Sequence, residues 1–151
     1  MRFGVAVFLG LAFTVGLFAA EGAAKSTARY GVEVDLKMYP QGAPKETLTS
    51  VLKAADAGKF DYLAAQLADP AFIDERVKSV LAGSFEEQVK DTRARLDPPA
   101  LKLLHRFLDD GEWTAEDASA SVRLKDLSDR AVFFRRIEGR WYMEHRSKTK
   151  T

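Results

Sequence analysis

The chain has 151 residues, of which 46% are hydrophobic and 30% are charged, a composition typical of one globular domain and not of a disordered chain. Lys and Arg total 23 against 22 for Asp and Glu, so the net charge of +1 provides no large field to attract nucleic acid. The chain contains no cysteine, which excludes disulfides, thiolate metal sites and a cysteine nucleophile.

Residues 1–24 have the pattern of a secretory signal peptide. Arg2 is followed by the uncharged run FGVAVFLGLAFTVGLFAA, and small residues lie just before Lys25. A retained membrane anchor is the alternative, because the run could just span a bilayer, but its Gly and Ala residues lower its hydrophobicity. We therefore expect cleavage after Ala24, export to the periplasm or the medium, and no stable membrane span in the mature protein.

Residues 25–43 form a leader in which apolar and polar side chains alternate. This period of two predicts a half-buried strand, which Pro40 and Gly42 would end. The apolar positions of the alternation are Tyr30, Val32, Val34, Leu36 and Met38.

Residues 44–146 form a single predicted α+β domain, which begins with short helices. Apolar residues recur at helical spacing between Pro44 and Gly111. Asp-Pro pairs and a Ser-x-x-Glu pair mark where helices begin, because their side chains can accept hydrogen bonds from the first free backbone N–H groups. The predicted N-caps are Asp69, Ser84 and Asp97.

From Glu112 onward the hydrophobic period changes to two, which predicts strands over residues 118–124, 131–137 and 140–146. Glu138 and Gly139 are predicted to form a two-residue hairpin loop that places Ile137 opposite Arg140. One face of the hairpin should then pack on the helices, and it carries Val132, Phe134, Trp141 and Met143. The other face should be a wet surface or a modest protein interface, and it mixes Phe133, Ile137 and Tyr142 with Arg135, Arg140 and Glu144. Residues 147–151 are predicted to be a solvated basic tail.

Helices followed by an antiparallel run that closes on residues 139–142 (GRWY) resemble the nuclear transport factor 2-like, or cystatin-like, α+β cone. Residues 38–40, 60–77 and 120–126 more closely resemble an uncharacterised family of exported proteins associated with planctomycete bacteria. The resemblance covers about residues 38 to 146. It implies short helices packed on a curved antiparallel sheet, and a homodimer through the outer sheet face.

The resemblance does not indicate a particular function, because the superfamily includes isomerases, dehydratases, ligand binders and non-catalytic modules. No catalytic residue, cofactor or metal site is assigned from the sequence. His105 and Asp109 share one side of a helix, but two ligands are too few to hold a metal. Five residues are candidates for lining a pocket in the cone, with core or rim packing as the alternative role: Tyr62, His105, Trp113, Asp117 and Tyr142.

Two functions follow as hypotheses. The first is an exported non-catalytic module that binds a small apolar ligand or a protein partner. The second is a small isomerase or hydro-lyase that uses a buried carboxylate in the cone. A cavity that holds a buried carboxylate would favour the enzyme.

Overall fold

The structure, a computed structural model, describes residues 27–146. The predicted signal peptide and basic tail lie outside these residues. Five helices are followed by four strands, so the α+β class is confirmed. The helices are α1 (Pro44–Asp56), α2 (Phe60–Tyr62), α3 (Pro70–Ser79), α4 (Phe85–Arg95) and α5 (Pro98–Asp110), and a π-helical segment (Leu63–Leu67) continues α2. The strands are β1 (Glu112–Ala115), β2 (Ser119–Leu124), β3 (Leu127–Ile137) and β4 (Arg140–Glu144).

The strands form one open antiparallel sheet in the order β1-β2-β3-β4, and the helices pack on one of its faces. Strand β1 is a fourth strand that the sequence did not clearly predict, because its four residues are too few to establish alternation. Within residues 27–146, no helix combines the length and the apolar character needed to cross a membrane.

The predicted helix caps are present. Asp69 accepts a hydrogen bond from the backbone N–H of Ala71 at 3.1 Å. Ser84 Oγ accepts from Glu87 N at 3.2 Å. The carboxylate of Asp97 accepts from the backbone N–H of the third residue of its helix at 2.9 Å. Each cap satisfies a backbone donor that has no partner within its own helix.

The predicted hairpin register is confirmed. Ile137 pairs with Arg140, and Phe134 pairs with Met143. Glu138 and Gly139 have φ angles of +49° and +80°, the left-handed values that a two-residue hairpin loop requires. The apolar face of the hairpin packs, as expected, in a core cluster with helix residues that include Leu48, Leu52 and Phe107.

The other hairpin face is less exposed than expected. The prediction of a wet face is wrong at Tyr142, whose exposed fraction is 6%. The guanidinium of Arg140 lies over its ring, 5.0 Å from the centroid, and a hydrogen bond to Gln41 holds that guanidinium in place. A cation–π contact of this kind shields the ring while leaving the charge hydrogen-bonded.

The leader does not form the predicted strand. Residues 30–38 contain turns, and pairing is limited to one bridge between Arg29 and Val32. Asp35 accepts a hydrogen bond from the backbone N–H of Met38, which closes a turn, because Asp side chains compete with strand pairing in this way. Leu36 and Met38 remain 47% and 46% exposed, so their alternation with polar residues does not reflect burial on a sheet.

The leader instead attaches to the π-helical segment. The carbonyl groups near the end of a helix lack intrahelical partners. Arg29 Nε donates to Ala65 O at 2.8 Å, and the side chains of Gln41 and Arg140 both donate to Gln66 O. Leader and sheet are therefore joined through the same turn of helix.

Candidate functional site

A cleft of about 830 Å³ lies between helices α3 to α5 and the end of the sheet where β3 begins and β4 ends. It is open to solvent, and its volume lies within the range of about 300 to 1,000 Å³ for small-molecule sites. Its interior is mainly apolar, with side chains from the π-helical segment, α3, the residue that follows α4, α5, β3 and β4. These side chains are Leu63, Ile73, Leu96, Leu103, Leu104, Phe107, Val132 and Met143.

The local sequence explains why these side chains face the cleft. In α5, the capping carboxylate of Asp97 and the two prolines that follow set the start of the helix. Leu103, Leu104 and Phe107 then project from one side of α5 at helical spacing. From the sheet, Val132 and Met143 project on the same face as Phe134, because side chains alternate along a strand.

The mouth of the cleft on the helical side is polar. Asp91 Oδ2 lies 3.2 Å from Arg76 Nη2 and 2.8 Å from Arg95 Nε, so one carboxylate is paired with two guanidinium groups. Arg76 Nε also donates to Gln88 Oε1 at 3.1 Å. These contacts join α3 to α4 and fix the position of the carboxylate.

His145 follows β4 at the mouth of the cleft. Its ring stacks on Phe72 with a centroid separation of 4.3 Å. Burial lowers the pKa of His145 below its usual 6.5, and the positive charges of Arg95 and Arg76 lower this pKa further, while Asp91 opposes them. The neutral form of the His145 ring is therefore favoured.

The structure places none of the five candidate residues among those that line this cleft, nor does it gather them at another site. Tyr62 is buried against Tyr39, and its hydroxyl accepts from the backbone N–H of Asp35 at 2.9 Å. Burial is the main cause of the raised pKa of Tyr62. This side chain anchors the leader to the helices.

The other candidates lie elsewhere. His105 is exposed on α5, with Nε2 3.8 Å from an oxygen of Asp56. Trp113 packs against the inner-face residue Phe134 with its Nε1 buried and without a hydrogen-bond partner among residues 27–146. Asp117 is exposed in the loop between β1 and β2, and Tyr142 lies under Arg140. Packing or solvent exposure therefore accounts for each of these positions except the unpaired Trp113 Nε1.

The sequence did not predict the residues at the mouth, because they are close in space but far apart along the chain. Asp91 and Arg95 lie on an ordinary charged helix, and His145 and Arg146 belong to a stretch that reads as the start of a basic tail. The pairing of β4 with β3 and the hydrogen bond from Asp69 N to Met143 O bring this stretch toward α3 and α4.

Within residues 27–146, His, Asp and Glu side chains do not gather in groups of three or more that could hold a metal ion. Comparisons of the chain with protein-family models, with curated proteins and with solved structures found no match.

Proposed function

We propose that this protein is a non-catalytic binding module whose cleft takes a small apolar ligand. The observation that carries the proposal is the open cleft of about 830 Å³, whose lining combines a leucine-rich group of apolar side chains with polar and charged ones. Small-molecule sites commonly combine an apolar lining with a few polar groups that orient the ligand. Burial of the ligand's apolar surface would supply the binding free energy.

The alternative, an isomerase or hydro-lyase, would need a buried carboxylate beside the ligand. Asp69 is the one carboxylate that is buried among residues 27–146. It caps α3, pairs with Arg135 at 3.4 Å, and does not line the cleft. Asp91 lines the cleft but is held between two guanidinium groups, which makes it a poor acceptor for a substrate proton. The structure therefore supports binding better than catalysis.

The proposed fold family is the nuclear transport factor 2-like cone. The order of helices before an antiparallel sheet and the cleft between these two layers support this assignment. We also propose that the mature protein is exported and begins near Lys25, on the basis of the apolar run and the small residues before it. N-terminal sequencing of exported material tests this, and an intact Met1 in a membrane fraction would contradict it.

A titration of the protein with 1-decanol, a neutral apolar probe, tests the binding function. Leu104→Trp would fill the cleft with an indole ring, so we expect it to abolish binding of the alcohol. Val80→Trp is the matched control, because Val80 is 63% exposed and does not line the cleft. Calorimetry would measure binding, and circular dichroism would establish that both variants fold. Failure of decanol to bind the unmodified protein, or equal binding by the Leu104→Trp variant, would contradict the proposal.

We propose in addition that the protein forms a homodimer through the outer sheet face. The polar side chains of Ser121 and Thr114 lie opposite each other on that face. Ser121→Glu is the cleaner test than charge reversal at Arg135, because Arg135 also pairs with Asp69. Analytical ultracentrifugation should show a dimer that this change dissociates; a monomer at every concentration would contradict the proposal.

A further inference from the structure

Two arginines that line the cleft, Arg123 and Arg146, converge on Phe133, whose ring belongs to the outer face of the sheet. The guanidinium carbon of Arg146 lies 3.9 Å from the centroid of the Phe133 ring, and that of Arg123 lies 5.8 Å from the same centroid. Two positive charges are therefore held at one aromatic ring. Because like charges repel, an anion between these two guanidinium groups would be favoured.

The carboxylates near this ring compensate only part of the charge. Glu144 pairs with Arg146 at 3.2 Å. Glu112 lies opposite Arg123 across the strands, but its carboxylate pairs with Lys125 at 3.3 Å. Within residues 27–146, no carboxylate lies within ion-pair distance of Arg123. Asp129 and Arg130 also line the cleft, and they carry opposite charges.

On the helical side of the mouth, positive charges are also only partly compensated by carboxylates. Arg76 and Arg95 share the single carboxylate of Asp91. The lowered pKa of His145, for which Arg95 and Arg76 are causes second to burial, agrees with a positive potential at this position. Among the residues that line the cleft, four guanidinium groups (Arg95, Arg123, Arg130 and Arg146) accompany three carboxylates (Asp91, Asp129 and Glu144).

We propose that the ligand of the cleft is a single-chain amphiphile with a carboxylate head, whose chain lies among the leucines and whose head lies at Arg123 and Arg146. This proposal rests on the proposed binding function and names its ligand class. Guanidinium groups suit a carboxylate because they can donate two parallel hydrogen bonds to it. Residues 147–151 (SKTKT) are a poor alternative occupant, because they would bring two more lysines to a positive mouth.

The experiment compares three probes with the same ten-carbon chain: decanoate, 1-decanol and decyltrimethylammonium. Each is titrated as a monomer, below its micelle concentration, at a pH that keeps decanoate ionised. We expect decanoate to bind about tenfold more tightly than decanol, because charge-assisted hydrogen bonds add to an equal apolar contribution. The ammonium compound should bind more weakly than either, and added salt should reduce the preference for decanoate.

Variants locate the preference at the named arginines. Arg123→Gln combined with Arg146→Gln should reduce the affinity for decanoate to that for decanol while leaving decanol binding unchanged. Arg136→Gln is the matched control, because Arg136 is an exposed arginine of the same sheet that does not line the cleft. It should leave all three affinities as they are.

The outcomes separate this proposal from the binding function on which it rests. Equal affinities for decanoate and decanol would overturn the anionic head and leave the apolar site intact. A preference for decanoate that survives the double change, or that Arg136→Gln abolishes equally, would also overturn the proposal. Binding of none of the probes would contradict the binding function itself.

Discussion

His145 shows at the residue scale how the fold changes the chemistry of a side chain near the end of the chain. Its ring stacks on Phe72 and lies near the guanidinium groups of Arg76 and Arg95. Burial and these charges disfavour the imidazolium form, so the pKa of His145 is lowered. The neutral ring can then pack at the edge of an apolar cleft.

This lowered pKa predicts a loss of stability in mild acid. As the pH falls through 6.5, His145 binds a proton in the unfolded chain before it does so in the folded one, so the free energy of unfolding decreases until the lower folded pKa is passed. Urea denaturation at a series of pH values between about 5 and 8 would measure the slope. His145→Gln should give a shallower slope in that window. An unchanged slope would show that His145 is not buried at the mouth.

The sequence could not place the residues of the cleft mouth, although it predicted much of the local structure. Tyr62, Trp113 and Tyr142 are pocket candidates from the sequence because they are aromatic or polar residues of a predicted cone. Most aromatic residues, however, pack in cores. Arg123 and Arg146 converge on one ring only because the pairing of three strands brings them there. Contacts that depend on tertiary packing leave no periodic pattern in the sequence, and they therefore cannot be predicted in the way that helices and strands can.

At the scale of elements, the hairpin was predictable because its turn residues and the alternation of its apolar side chains indicate the same strand register. The loop chemistry of Glu138 and Gly139 fixes the register, and a shift of one residue would exchange the two faces. Apolar and polar side chains also alternate along residues 30–38 of the leader, but these residues do not lie beside a strand with which they could pair. Ala68 pairs with Met143, and Gln41 at the end of the leader accepts from Trp141 N, so the outer edge of β4 is already bonded and residues 30–38 could not pair there.

The hairpin assignment predicts a large effect of Trp141→Ala. Trp141 is 6% exposed and packs with Leu48 and Leu52 of α1, so removal of its side chain should cost about 3 to 5 kcal/mol of unfolding free energy. Arg136 lies directly opposite on β3 but is exposed, and Arg136→Ala should cost less than about 0.5 kcal/mol. Chemical denaturation of both variants would measure the two values. Similar losses would contradict the packing of this face.

The cap of α4 predicts a smaller effect. Ser84 Oγ accepts from Glu87 N, so Ser84→Ala should cost about 0.5 to 2 kcal/mol without changing ligand affinity. Ser128→Ala is a control at an exposed serine of β3 and should be close to neutral. Thermal and chemical unfolding would measure both. A loss of decanol binding without a loss of stability would instead give Ser84 a functional role.

At the scale of the whole molecule, the change of hydrophobic period near Glu112 predicted the division into helices and sheet. The volume enclosed between these two layers was not predictable, because it depends on how far α4 and α5 stand from β3. The leucines of α5 read equally well as core residues or as the wall of a cleft. The same apolar side chains of α5 therefore contribute both to the stability of the fold and to ligand binding.

The most direct test of the central claim is a methyl-resolved NMR titration of the protein with 1-decanol. Binding in the cleft should shift the methyl resonances of Ile73, Leu103, Leu104 and Val132, which line it, and leave those of the exposed leader residue Leu36 unchanged. Saturable shifts confined to the lining residues are the expected result. Absence of shifts, or shifts that are as large at Leu36 as at Leu104, would contradict it.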